Sequence, residues 1–188
     1  RFRAYRNIER PYTRVSKYKN KSFVKAGPAR KVARFDMGDA KGYFSYSVEL
    51  LPKRDTQIRQ EAIEAARQTS IRWLEKKLPK NAYHFKIRKY PYHVLRQKSL
   101  ASGAGADRVS TGMQKPFGKP TGIAVQLKRR DRFFTIAVNE EGLGVAKFAL
   151  KRAATKLSCP CAIRIAKSHL AEKPIQAVAQ DSVQESIV

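Results

Sequence analysis

The chain is 188 residues long, 42% hydrophobic and 10% aromatic, which suffices for one folded domain with appendages and excludes a disordered polycation. Forty Lys and Arg against 15 Asp and Glu leave a net charge of +25. Self-repulsion of that size makes sense beside a polyanion, of which a phosphate backbone is the commonest.

Other polyanion settings fit less well. No run approaches the roughly 18 apolar residues of a membrane-spanning helix. Residues 1–6 lack the apolar stretch of a secretory leader. Cys159 and Cys161 are too few for a disulfide framework and too close for an unstrained mutual bond. A reducing, cytoplasmic setting is the expectation.

The first 34 residues carry 12 Lys and Arg and one acid, Glu9, with Phe2, Tyr5, Tyr12, Tyr18 and Phe23 interleaved. No helical or strand period runs through them. They predict an extended basic arm over residues 1–30, closed by the Gly27-Pro28 turn signal. Rings set between cations suit stacking on bases while the cations neutralise phosphates. A solvated, disordered tail is the alternative.

Residues 31–37 read as a short mixed strand. Residues 43–51 alternate cleanly, with Phe44, Tyr46, Val48 and Leu50 on one face. A helix follows, with Asp55 as its N-cap, and Ile58, Ala62, Ala65, Thr69 and Trp73 as its buried stripe. Lys76 and Lys77 suit its C-terminal dipole, and Pro79 stops it. Its outer face, with Arg59, Arg67 and Arg72 among Glu61, Glu64 and Glu75, reads as solvated.

Residues 82–90 predict a strand with Tyr83, Phe85 and Ile87 inward. His84, Lys86 and Arg88 project from its other face without compensating acids, a row suited to RNA. Pro91 interrupts, and residues 93–96 continue the strand. Residues 122–128 and 132–138 predict a hairpin whose tip is Arg129-Arg130-Asp131. Asn139 caps a second helix, whose buried stripe is Leu143, Ala146, Leu150, Ala153 and Leu157. A last strand spans 161–166, ahead of a patternless tail at 167–188. The class is α+β, with mainly antiparallel strands and two helices in a single domain over 31–166.

Residues 98–121 stand apart. They hold four glycines, two prolines and no sustained apolar period, with Lys98, Arg108, Lys115 and Lys119 against Asp107 alone. A loop of this length inside a domain is usually functional or disordered. Glycine lets its backbone approach phosphates closely.

Enzymatic chemistry finds little support. Gly103-Ala104-Gly105 lacks the last glycine of a dinucleotide fingerprint, and no Lys-Ser/Thr pair completes a P-loop. Asp36 and Asp39 read as a strand-end turn rather than a metal pair. His84 and His93 share no metal-ligand spacing, and the two cysteines are half of a zinc site, read as structural. No catalytic residue, metal, cofactor or small-molecule substrate is expected.

The run 105–113 (Gly-Ala-Asp-Arg-Val-Ser-Thr-Gly-Met), continued by Lys115-Pro116-Phe117-Gly118-Lys119-Pro120, resembles the signature of one ribosomal protein family. It is the large-subunit family called L-ten-e in archaea and eukaryotes and L-sixteen in bacteria. Arg10-Pro11-Tyr12-Thr13-Arg14, Phe35-Asp36-Met37-Gly38, Ile58-Arg59, Glu64-Ala65-Ala66-Arg67, Tyr83-His84 and Tyr90-Pro91 are similar to it too. These blocks are dispersed nearly to residue 165, and the absence of a longer C-terminal extension resembles the archaeal form.

The resemblance implies an α/β-hammerhead-like fold on the large subunit, between the central protuberance and the tRNA-binding face. It also implies contact with large-subunit rRNA and neighbouring ribosomal proteins, and proximity to 5S rRNA and tRNA. Loop 98–121 would point toward the peptidyl-transferase centre, where catalysis belongs to RNA. The expected rRNA contacts are Arg10, Tyr12, Arg14, Lys17, Lys19, Lys21, Lys31, His84, Lys86, Arg88, Arg96, Arg129 and Arg130. The expected loop residues are Gly105, Asp107, Arg108, Thr111, Gly112, Met113, Lys115, Phe117 and Lys119. The alternatives are a free nucleic-acid-processing enzyme and a non-specific nucleic-acid binder.

Overall fold

The computed structural model describes residues 5–10, 13–14, 16–24, 27–98, 112–114 and 116–167. Alternating apolar residues build two sheets. Strands β1 (Asp36–Gly38), β2 (Tyr46–Pro52), β4 (Tyr83–Ile87), β7 (Phe134–Val138) and β8 (Cys161–Lys167) form a five-stranded sheet in the order β1-β4-β7-β2-β8. Strands β3 (Thr56–Arg59), β5 (His93–Gln97) and β6 (Lys119–Leu127) form a second sheet in the order β3-β6-β5. Every strand pair among the described residues is antiparallel. With helices α1 (Gln60–Lys77) and α2 (Leu143–Ala154), the chain has the expected α+β class.

One core joins these layers. Val48, Leu50, Phe85, Ile87, Phe134 and Ile136 from the larger sheet meet Ile58, Val125 and Leu127 from the smaller one, beneath Ile63, Leu74 and Leu150 of the helices. Helix α2 lies on β2, β7 and β8, while α1 packs on α2 and reaches β3 and β6. Beyond the helix-facing side, Glu49 of β2 is buried. It accepts from Arg164 Nε at 3.0 Å and pairs with Arg132 Nε at 3.2 Å, tying edge strand β8 down.

Several local expectations are corrected. The first helix begins at Gln60, because Thr56–Arg59 is extended as a ladder partner of β6. Asp55 therefore caps nothing; its Oδ1 accepts the backbone N–H of Arg129 at 2.6 Å. The buried stripe is Ile63, Ala66, Ser70 and Leu74, one position on from the expected set, and Ala65 is exposed. Trp73 packs against the core's margin. Asn139 does not cap α2 through its side chain; its Oδ1 accepts from Ser45 N at 3.3 Å, and a 3₁₀ turn, Glu140–Gly142, leads into the helix.

The expected hairpin of residues 122–138 does not form. β6 pairs with β3 and β5, whereas β7 lies between β4 and β2. Arg130, at a left-handed φ of 66°, donates its N–H to Pro52 O at 3.0 Å, and Phe133 N donates to Leu50 O at 3.1 Å. The chain thus crosses from one sheet to the other, where Phe134 and Ile136 gain apolar partners on both sides. Residues 93–97 likewise belong to the smaller sheet and do not continue β4.

Candidate nucleic-acid interface

The arm is no free extension where it is described. It lies across the smaller sheet: Gln57 N donates to Arg6 O at 2.8 Å, and Gln126 Nε2 to Glu9 O at 2.7 Å. Tyr5 Oη donates to Arg96 O at 2.9 Å, and Val94 N to Thr13 Oγ1 at 2.8 Å. Residues 16–24 then fold into a compact turn around a 3₁₀ segment, Lys19–Lys21, closed by Phe23 N donating to Arg14 O at 3.0 Å. Arg14 lies 5.7 Å from the Phe23 ring centroid and Lys21 5.2 Å from that of Tyr18, so cations and rings are already matched within the arm. Arg10, Arg14, Lys17, Lys19 and Lys21 are all exposed. Tyr12 lies outside the described residues.

The row on β4 is partly compensated. Asp36 Oδ1, on neighbouring β1, stands 3.2 Å from both His84 Nε2 and Lys86 Nζ. Sequence reading missed this acid because it sits 48 residues from His84 along the chain. Arg88 falls beyond the strand's end, where its Nε donates to Thr135 Oγ1 at 3.2 Å. Lys31 pairs with Glu61 at 3.3 Å. Arg129 and Arg130 are exposed at the crossover between the sheets and make no ion pair among the described residues.

The expected loop 98–121 is shorter by three residues, because Lys119, Pro120 and Thr121 belong to β6, and the remaining segment 98–118 joins the two strands of a genuine hairpin. Its stems are β5 and β6, paired as far as Gln97↔Lys119. Gly118, at φ +82°, brings the returning strand against the backbone of Gln97 and Lys98, and Lys98 Nζ donates to Gly112 O. Beside this base, Met113 is 83% and Phe117 71% exposed. Gly105, Asp107, Arg108, Thr111 and Lys115 lie outside the described residues.

His93 faces a smaller hollow with Tyr5, Arg10, Arg96 and Phe117. Burial holds its pKa below the ordinary histidine value, and nearby Glu9 opposes this only in part. Just below the unfolded value, the unfolded state therefore binds more protons than the folded one, so stability falls as pH drops through that window. His93→Gln should flatten the dependence in urea unfolding at about pH 7.5 and about pH 5.5. A slope unchanged by the substitution would assign it to another group.

Among the described residues no group of three or more His, Cys, Asp or Glu gathers to hold a metal ion. Cys159 and Cys161 are free thiols, 3.7 Å apart, with Cys159 buried in the core just before β8 and Cys161, the strand's first residue, packed against the core. The hydrogen bond between them lowers the Cys159 pKa and raises that of Cys161.

The model of the family described as ribosomal protein L16p/L10e matches residues 10–164. The chain belongs to this family. Among L16p/L10e relatives, the large ribosomal subunit protein uL16 of Archaeoglobus fulgidus is 38% identical over 167 residues, covering 89% of this chain and 92% of its own length. The uL16 of Methanococcus maripaludis is 39% identical over 165 residues, covering 88% and 92%. Both relatives are archaeal, in line with the archaeal-type resemblance. An L16p/L10e member is a structural ribosomal protein and not an enzyme.

In this L16p/L10e chain the sheets meet at a groove that sequence reading overlooked. It is about 570 Å³ in volume and is lined by Ile8, Arg88, Lys89, Tyr90, Tyr92 and Lys128. Tyr90 and Tyr92 are 53% and 49% exposed. Lys89 is paired with Asp131 at 3.2 Å, and Tyr90 leans on Phe35 with ring centroids 4.5 Å apart. The clue was in Lys89-Tyr90-Pro91-Tyr92, two rings around a strand-breaking proline beside cations. Cations beside half-exposed rings match what phosphates and unstacked bases require.

Proposed function

We propose that this chain is a structural constituent of the large ribosomal subunit that binds rRNA and helps position tRNA. The reading rests first on the family and on relatives named as large-subunit proteins. Its strongest physical support is the basic, aromatic groove where the sheets meet, whose lining residues Lys128 and Asp131 flank the exposed Arg129 and Arg130 in the chain. Residues 1–30 act as the arm, 31–166 as the rRNA-binding domain and 167–188 as a tail. Arg10, Arg14, Lys17, Lys19 and Lys21 contact phosphates from the arm, and Arg88, Arg96, Arg129 and Arg130 from the sheets. Contacts of this kind fix register without reading sequence.

The hairpin β5–β6 holds loop 98–118 at its tip, directed toward the peptidyl-transferase centre and the aminoacyl-tRNA site. The bound protein sits beside 5S rRNA, the central protuberance and neighbouring ribosomal proteins. Arg108, Lys115 and Lys119 neutralise phosphates there, and Phe117 stacks. Deleting residues 104–114 should leave the melting temperature of the free protein within a few degrees, because paired strands close the loop's base. It should sharply reduce tRNA-dependent activity of reconstituted subunits. A deletion that unfolds the domain would place the loop within the core.

Sedimentation of cell extract through a high-salt gradient tests the assignment. Co-migration with large subunits is the expected result, and protein left at the top of the gradient overturns it. Binding to rRNA should also weaken with salt. If six cations each neutralise a phosphate, log K falls against log salt with a slope of roughly −4 to −5, at about 0.7–0.9 per contact. A slope near zero is incompatible with phosphate contacts. Equal affinity for any duplex would instead favour a non-specific binder, and metal-dependent RNA cleavage a processing enzyme.

A further inference from the structure

We propose that the helix layer carries a second RNA-backbone surface, centred on Trp73, on the side of the larger sheet away from His84 and Lys86. The inference rests on the RNA-binding reading above and extends it to a face that sequence alone assigns to solvent.

The charges of α1 divide into two halves. In its first half the acids are used locally. Glu61 pairs with Arg59 at 3.4 Å, and Glu64 with Arg67 at 2.5 Å. In its second half, Arg72, Lys76 and Lys77 are exposed and take part in no ion pair among the described residues, while the one acid there, Glu75, acts on Arg67 and Tyr83 and does not line the hollow these cations share. Packing of α1 on α2 then brings Arg152 and Lys156 to the same place. Thr69, Arg72, Trp73, Lys76, Arg152 and Lys156 line one open hollow of about 310 Å³.

The ring of Trp73 forms the floor of this cluster. Arg152 lies 5.2 Å from its centroid and Lys77 5.9 Å. Phe148, 45% exposed, leans on the same ring with centroids 4.6 Å apart and carries the surface on toward Lys147 and Lys151. The indole Nε1 has no acceptor among the described residues. Helix dipoles favour cations in each last turn, which accounts for basic residues there singly. They do not account for two helices delivering theirs around one aromatic floor with no acid among them. Repulsion between those cations costs stability in the free protein, and a phosphate chain laid across them removes it.

Position adds to the case. β4 turns Tyr83, Phe85 and Ile87 into the core beneath the helices, so His84 and Lys86 face the opposite way. Cationic faces on both sides of one sheet suit a protein wedged between two RNA segments.

Trp73 is the only tryptophan in the chain and reports on this surface directly. The test titrates the full-length protein with an archaeal large-subunit rRNA transcript, following Trp73 emission and the anisotropy of labelled RNA at several salt concentrations. RNA is expected to change Trp73 emission, and salt to reverse the change in step with dissociation. The triple variant Arg72→Gln, Lys76→Gln, Lys156→Gln should bind with a salt slope shallower by roughly 2 to 3, at about 0.7–0.9 per lost contact. Its substitutions are all exposed, and a urea unfolding curve matching the parent verifies its fold. RNA binding with the parental slope in the variant and unchanged Trp73 emission in the parent would overturn the second surface and leave the proposed function standing. Absence of any salt-dependent RNA binding by the parent would remove both.

Discussion

Phe134→Ala is expected to lower stability by about 3–5 kcal/mol, the usual cost of truncating a buried aromatic residue. Phe134 is fully buried in β7, the middle strand of the larger sheet, opposite Leu50 of β2 and Ile87 of β4. Its ring stacks on Phe133 with centroids 4.3 Å apart and tilts against Phe85 at 5.4 Å. Removing it opens a cavity walled by strands on both sides, which cannot collapse without breaking the ladder. Urea unfolding would show the loss as a lower midpoint with unchanged m-value. Phe134→Leu, which keeps most of the volume, should cost far less. A loss below about 1 kcal/mol for the alanine variant would contradict the central position of β7.

Gly118→Ala should combine a stability loss with a functional one. A left-handed φ costs an L-residue roughly 1–2 kcal/mol. Here the added Cβ would also stand 2.7 Å from Gln97 C and 2.8 Å from Lys98 N, both backbone atoms that cannot swing aside. The β5–β6 stem must part where Gln97 faces Lys119, which redirects Phe117 and everything beyond it. The expected outcome is a loss of about 2 kcal/mol or more, together with poor incorporation into large subunits. Gly112→Ala is the matched control, since it too has a positive φ but nothing stands within 4 Å of its Cβ. Equal effects from both variants would mean that backbone strain alone is responsible and the close stem packing is not.

What could be read without the structure was whatever depends on near neighbours in sequence. Alternation at i, i+2 identified β4 with Tyr83, Phe85 and Ile87 buried, and Val48 and Leu50 of β2. The 3.6-residue period found α2, with Ala146, Leu150 and Ala153 inward. The glycine-rich signature and the dispersed blocks pointed to the family that the comparison with known proteins bears out. Net charge pointed to a polyanion without any need of coordinates.

Tertiary structure decided everything that turns on residues far apart. Periodicity says which way a strand faces but not which strand it joins, so residues 122–138 read as a hairpin and proved to serve two sheets. Asp55 looked like a cap because capping is a local rule, and the ladder with β6 outweighed it. Asp36 tempers His84 and Lys86 only because β1 pairs with β4. The groove at Tyr90 and Tyr92 and the cluster around Trp73 exist only once chain segments tens of residues apart have met. Local geometry is carried by the covalent neighbours of each residue, and so by the sequence alone. Pairing partners and charge compensation are set by the shared core, where burial of Phe85, Phe134 and Leu150 selects one closure of the chain among many.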